Sequence, residues 1–450
     1  MSSQTNPDAN ATSAVGNPRL KMVSFPPEIL CEIFLACIPA IGNSDQLPAY
    51  FPFGISHVCR HWRTSALAFP KIWSFLDVEQ TQENQEGDCP EFYLMEAYLE
   101  RSGNHPLTFR LALTNETMHY QTFLECLEKH AARWQNVFLE NPDHYHLEHL
   151  AQGDPSDYPM LRSLVCTYCD LDQDCIQEGP IFGPFPWSQL KHYHEYEVSW
   201  SPDCERQWEI ISQLTNVVDL RASFYGEYED ESPIEMPHLR FASIAIDKQE
   251  EELDIEDILN CFDFPGIQGL NLKLMDNHPV DALSPVPNQL KGLKILRLCG
   301  SLAISNDALK GILTEIETLT DFAIELRGID AGYLFQLLTP STSELVPHLR
   351  ALRTTHFRPV ADEALDVLLG MLRERFGVAR LQRFEFFLGP RPFSILSIPP
   401  EEWESFKTVP STTMFDKLEA MRVDEGWDIR VDRDWQEYDF WREEMDGKFL

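Results

Sequence analysis

Leu293-Lys-Ile-Leu-Arg-Leu298 carries apolar residues at its first, fourth and sixth positions, and this spacing recurs through most of the chain. Upstream copies are Trp134/Val137/Leu139, Leu161/Leu164/Cys166, Val217/Leu220/Ala222, Leu239/Ala242/Ile244 and Ile267/Leu270/Leu272. Downstream copies are Leu319/Phe322/Ile324 and Leu381/Phe384/Phe386, and weaker ones begin at Leu190, Leu349 and Leu418. Residues two apart in a strand point to the same side, so the fourth and sixth positions are expected to enter one core. Between copies, Leu309, Ile312, Leu313 and Ile316 share a helical face, as do Leu365, Leu368, Leu369 and Leu372, and more briefly Ile255, Ile258, Leu259 and Phe262. Strand followed by helix, with starts 22 to 37 residues apart, predicts an α/β solenoid with an inner parallel sheet and outer helices. An ordinary α/β domain is the alternative; the number of copies and the lack of a Gly-rich phosphate loop favour the solenoid. Leu107-Thr-Phe-Arg-Leu-Ala-Leu113 is expected to start the array.

If the core takes positions four and six, the third, fifth and seventh face the other way. The fifth positions then form a column: Phe138, Val165, His194, Arg221, Ser243, Asn271, Arg297, Ala323, Arg353, Glu385 and Arg422. Four arginines against one acid make this column basic relative to a chain with 72 Asp and Glu and 36 Lys and Arg. Arg221, Arg297, Arg353 and Arg422, with His194, are therefore candidates for receiving an acidic or phosphorylated segment of a partner protein, since guanidinium pairs with carboxylate or phosphate in a fork. Pairing of these arginines with Asp and Glu on neighbouring strands is the alternative.

The N-terminal part reads differently. Phe25-Pro-Pro-Glu-Ile-Leu-Cys-Glu-Ile-Phe34 starts with prolines suited to a first helical turn, and Leu30, Ile33, Phe34 and Cys37 form an apolar stripe that Pro39 ends. Ile55, Val58, Cys59, Trp62 and Ala66 are expected to share a second helical face, followed by Pro70 and Trp73. Three prolines and two glycines make a regular helix unexpected over 39–54.

The order Pro-Pro-Glu-Ile-Leu, then Val58-Cys-Arg-His-Trp62, then Pro70-Lys-Ile-Trp73 resembles an F-box of the fungal type, and the repeats resemble leucine-rich repeats. Tyr98 to Leu107 and His130-Ala-Ala-Arg-Trp134 resemble segments that follow such an F-box. The resemblance implies a substrate receptor of a Skp-cullin-F-box ubiquitin ligase that catalyses no reaction itself. It implies adaptor contact through Pro26, Pro27, Ile29, Leu30, Ile33, Phe34, Val58, Cys59 and Trp62, a cullin reached through that adaptor, and a substrate protein held by the repeats. A repeat scaffold without ligase coupling is the other reading. The expected organisation is a polar leader over 1–20, an F-box over 21–76, a linker helix region over 77–104, the array over 105–425 and an acidic, Trp-rich cap or tail over 426–450.

Composition limits other functions. A net charge of −36 and a pI near 4.6 argue against nucleic acid and anionic membranes as partners. No apolar run approaches the roughly 20 residues of a membrane span, and the first residues do not read as a signal peptide. Eleven scattered cysteines suit a reducing compartment, cytoplasm or nucleus. Cys166-x-x-Cys169 with Cys175, His192 and His194 invites a zinc reading, but zinc sites use two tight ligand couples, and Cys166 falls at a core position. No metal and no cofactor are expected.

Overall fold

The computed structural model describes residues 25–38, 51–80, 90–113, 120–140, 154–167, 185–196, 204–224, 232–246, 255–279, 288–326, 331–356, 362–377, 381–388 and 412–432. Among these residues, thirteen strands form one parallel sheet: β1 (Phe75–Gln80), β2 (Leu107–Leu113), β3 (Trp134–Glu140), β4 (Ser163–Thr167), β5 (His192–Tyr196), β6 (Asp219–Phe224), β8 (Phe241–Ile246), β10 (Gly269–Pro279), β11 (Ile295–Ala303), β12 (Asp321–Leu326), β13 (Ala351–His356), β14 (Arg383–Leu388) and β15 (Asp428–Asp432). Each strand lies beside the next in the chain, apart from two short strands, β7 (Ile234–Glu235) and β9 (Phe262–Asp263), which pair with one another. Parallel neighbours require crossovers, and helices occupy several of them.

The register is the one expected from the spacing. Val137 pairs with Leu164, Leu270 with Leu296, and Phe322 with Leu352, so fourth positions align with fourth positions across the sheet. These residues and the sixth positions join the helices in one apolar core running from Leu30 to Ile429. Gly269 serves this stacking, because a Cβ there would stand 2.8 Å from the Phe241 ring on the adjacent strand. Helix α8 (Asn306–Glu315) buries Leu309, Ile312 and Leu313, and its N-cap Ser305 accepts the Ala308 N–H. Helix α10 (Asp362–Gly377) buries Leu365, Leu368, Leu369 and Leu372. The shorter α7 (Ile255–Asn260) stops before Phe262, which belongs to β9.

The sheet is longer than expected at both ends. β1 lies partly inside the 77–104 segment read as a linker helix region, of which only α4 (Pro90–Arg101) is helical among the described residues. At the other end, Leu418 and Met421 are buried in helix α11 (Thr412–Asp424), and the last strand among the described residues is β15. A three-residue apolar step suits a helix as well as a strand start, and Val423, the expected sixth position, is 65% exposed. Arg422 is therefore a helical residue paired with Glu419, and Arg430 takes the fifth position beside Glu385. Trp427 stacks on Phe376 of α10 at 4.6 Å, so the start of the acidic segment packs against the array. Trp435, Trp441 and the 1–20 leader lie outside the described residues.

The N-terminal module contains α1 (Pro27–Ala36), α2 (Phe51–Ser56) and α3 (Arg60–Leu67). A helix over Phe51–Ser56 corrects the expectation for the last part of 39–54; Pro52 sits near the helix start, where its missing N–H costs nothing. The single face expected from Ile55 to Ala66 is also divided, because Cys59 leaves the helical conformation and caps α3 with its sulfur, 3.4 Å from the Trp62 N–H.

Candidate functional site

Two surfaces merit attention, and the first is the N-terminal module. The inward face of α1 is Leu30, Cys31 and Phe34, with Ile38 beyond the helix end; Phe34 meets Trp62 edge-on at 5.2 Å. Cys37, expected on this stripe, is exposed. Ile29 and Ile33 lie one turn apart on the outer face, 48% and 38% exposed. Phe25 precedes them in the open, and its carbonyl oxygen lies 2.8 Å from His61 Nε2, which ties the start of α1 to α3. Val58 and Leu67 are exposed as well. Eight large apolar side chains are exposed among the described residues, and five of them fall between 25 and 67, so the apolar surface is concentrated in this module. Of the residues expected to contact an adaptor, Pro26, Pro27, Ile29, Ile33, Val58 and Cys59 are at the surface, Trp62 is half-buried, and Leu30 and Phe34 are inside.

The second surface is the sheet face opposite the main core. In register, its central column reads Asp77, Arg110, Phe138, Val165, His194, Arg221, Ser243, Asn271, Arg297, Ala323, Arg353, Glu385 and Arg430. Phe138, Val165 and Ala323 are buried yet stand apart from the main core, as their alternation requires. The charged members are engaged. Arg110 holds Glu140 in a fork, 2.7 Å at each nitrogen, and reaches Asp77 at 3.0 Å. Arg353 pairs with Glu385, which Arg430 approaches at 3.5 Å. Arg221 lies 3.6 Å from Asp219, itself 3.2 Å from His194. Asn271 donates to Ser243 at 2.9 Å, and Arg297 is buried at the centre. The cross-strand pairing considered above thus describes Arg353, whereas the acid beside Arg221 is Asp219 of its own strand, which reaches across to His194. Arg110 has no place in the sequence-derived column because the first position of its copy, one residue before β2, is Pro106 and not a large apolar residue.

The His194–Asp219–Arg221 group makes folding acid-sensitive. Burial, then the Arg221 charge, push the His194 imidazole down to about 4 against the pull of Asp219. Burial pushes Asp219 up, but His194 and Arg221 outweigh it and hold the carboxylate below its usual range. Both groups bind protons more readily when unfolded, so stability falls with pH, first between about 6.5 and 4 through His194 and further below about 3.8 through Asp219. Glu195, raised by burial, opposes this slope near its own range. Comparing the chain with His194→Gln isolates the histidine: the stability advantage of the native chain should shrink by on the order of 2 kcal/mol from pH 6.5 to 4 in urea titrations. A difference that stays constant with pH would contradict the assignment.

Among the described residues, no group of three His, Cys, Asp or Glu is gathered as a metal site. Cys166 is buried at a core position, and Cys169 and Cys175 lie outside the described residues. Among those residues no helix is long and apolar enough to cross a membrane. No protein-family model matches the chain, and no curated protein matches it.

Proposed function

We propose that this chain is a substrate-recognition subunit of a Skp-cullin-F-box ubiquitin ligase, with 21–76 as the F-box and the parallel sheet as a leucine-rich-repeat-like array. The observation that carries the reading is the exposed apolar face of α1, Phe25, Ile29 and Ile33, in the sequence context of an F-box. Such a face in a monomer is a docking surface by default, and an apolar contact there would be largely insensitive to salt. The chain would act by proximity: the adaptor holds one end, the array holds a substrate, and the reactive ubiquitin carrier is brought within reach of a substrate lysine. The seven free cysteines among the described residues suit a cytoplasmic or nuclear home.

The test is co-purification with a Skp-type adaptor and cullin, using Ile29→Asp/Ile33→Asp. These side chains face solvent, so the variant should fold, whereas Leu30 and Phe34 belong to the core and would confound the result. Each isoleucine buried on docking contributes roughly 1.5–3 kcal/mol, so the double variant should lose at least about a hundredfold in affinity. Equal adaptor recovery by both chains would refute the docking face.

A further inference from the structure

The position that precedes each strand forms a row of its own. Its backbone N–H groups bond from repeat to repeat: Lys191 to Arg162, Val218 to Lys191, Arg240 to Val218, Gln268 to Arg240, Lys294 to Gln268, Thr320 to Lys294 and Arg350 to Thr320. These bonds hold consecutive members at the strand spacing, about 4.8 Å. The row carries five cations, Arg162, Lys191, Arg240, Lys294 and Arg350, and no acid, in a chain of net charge −36. From Lys191 onward a cation occupies every second place, with Val218, Gln268 and Thr320 between, which sets the charges about 9.6 Å apart.

The row is available for binding. Arg162, Arg240, Lys294 and Arg350 are exposed and Lys191 is half-buried. Among the described residues, Arg162, Lys294 and Arg350 make no side-chain ion pair or hydrogen bond. Lys191 and Arg240 are held along the rim by backbone carbonyls, of Asn216 at 3.3 Å and of Gly266 at 3.0 Å. Residue 266 must be small for this, since a Cβ there would stand 2.8 Å from the Arg240 guanidinium. The acids one place on, Asp219 and Asp321, alternate to the face of the central column. Glu315 and Glu317 precede β12 on the same rim, and Lys291 takes Glu315 at 3.1 Å.

We propose that this rim binds an extended acidic segment of a partner protein, lying across the strands with an acid at about every third residue. An extended chain advances about 3.3 Å per residue, so three residues match two strand spacings. At physiological salt the screening length is about 8 Å, shorter than the cation spacing. Each cation therefore acts mainly on its own acid, and the pattern of charge matters as well as its total. A nucleic acid fits less well: its phosphates are much closer, and a long polyanion is repelled by the rest of the chain. The inference goes beyond the ligase reading and does not depend on adaptor docking.

The test is fluorescence anisotropy of the full chain with a labelled peptide of repeated Glu-Pro-Ser, whose prolines keep it extended at about 3.1 Å per residue. Its comparisons are the Gln-Pro-Ser peptide, a peptide of the same composition with its glutamates in one block, and oligo-dT. The native chain should bind Glu-Pro-Ser in a salt-sensitive manner and favour it over the other three. Arg162→Glu/Lys294→Glu/Arg350→Glu should weaken binding at least about tenfold with an unchanged melting midpoint. No binding by the native chain, undiminished binding by the variant, an equal response to Gln-Pro-Ser or to the block peptide, or tighter binding of oligo-dT would each overturn the proposal.

Discussion

Arg375→Met should destabilise the C-terminal repeats by about 3 kcal/mol or more, one of the two largest effects expected of a single substitution here. Arg375 is 1% exposed on α10, and its guanidinium donates to three backbone carbonyls: Leu338 at 2.6 Å, Leu345 at 2.9 Å and Val346 at 3.0 Å. These belong to the connection between α9 (Ala331–Leu337) and β13, where helix and strand ladders supply no partners. Val346 has φ +43°, a conformation a β-branched residue rarely adopts, so the connection depends on outside support. Burial lowers the Arg375 pKa to about 10, still charged at neutral pH. Methionine fills much of the volume but leaves the Leu338 and Leu345 carbonyls without a donor, at about 1–3 kcal/mol each before relaxation, while Val346 O keeps the Leu349 N–H at 3.1 Å. Lysine keeps the charge and loses the fork, so Arg375→Lys should restore only part of the stability. The measurement is amide hydrogen exchange over 331–377 with a urea titration; protection equal to that of the native chain would contradict the account.

Trp73→Ala should have a comparable effect at the other end, about 3–5 kcal/mol. Trp73 is fully buried and its indole N–H donates to Ala66 O at 2.9 Å. Phe53 and Tyr98 meet it edge-on at 5.0 and 5.3 Å, and the Arg101 guanidinium lies 4.6 Å over its ring. Those partners come from α2 and α4, so one side chain joins the N-terminal helices to the first strand of the sheet. Loss of the ring should loosen that joint as well as lower stability. In limited proteolysis, cleavage near residues 74–90 should accelerate much more than cleavage in the central repeats. Uniform acceleration, or none, would count against Trp73 as the joint.

Trp73 also explains what was legible in the sequence. Trp73, Leu76 and Val78 have the first, fourth and sixth spacing of the repeats, and β1 pairs with β2 accordingly. Reading Trp73 as the end of the helical module hid it as the start of the array, although it serves both. From Phe138 to Glu385 the column was legible, because two apolar positions per strand fix the alternation and a one-residue slip would turn every core residue outward. The spacing is lost where the leading apolar residue is missing, as at Gly426 before β15, and misleads where a helix imitates the step, as at Leu418. The N-terminal stripe was legible only in part: Leu30 and Phe34 turn inward, but the core also takes Cys31 and leaves Ile33 outside. Spacing alone leaves a short helix free to rotate between such neighbours. Arg375 carried no sequence signal, since an arginine late in a helix normally reads as a solvent-facing charge near the helix C-terminus.

The proposed docking of the outer face of α1 on a ligase adaptor is open to direct measurement. Its most direct test is a calorimetric titration of the full chain with a purified Skp-type adaptor, at low and high salt, beside Ile29→Asp/Ile33→Asp. The native chain should bind with an affinity that changes little with salt and with a negative heat-capacity change, and the variant should not bind. A native chain that does not bind the adaptor, or a variant that binds equally well, would contradict it and leave the parallel sheet as a binding scaffold outside the ligase.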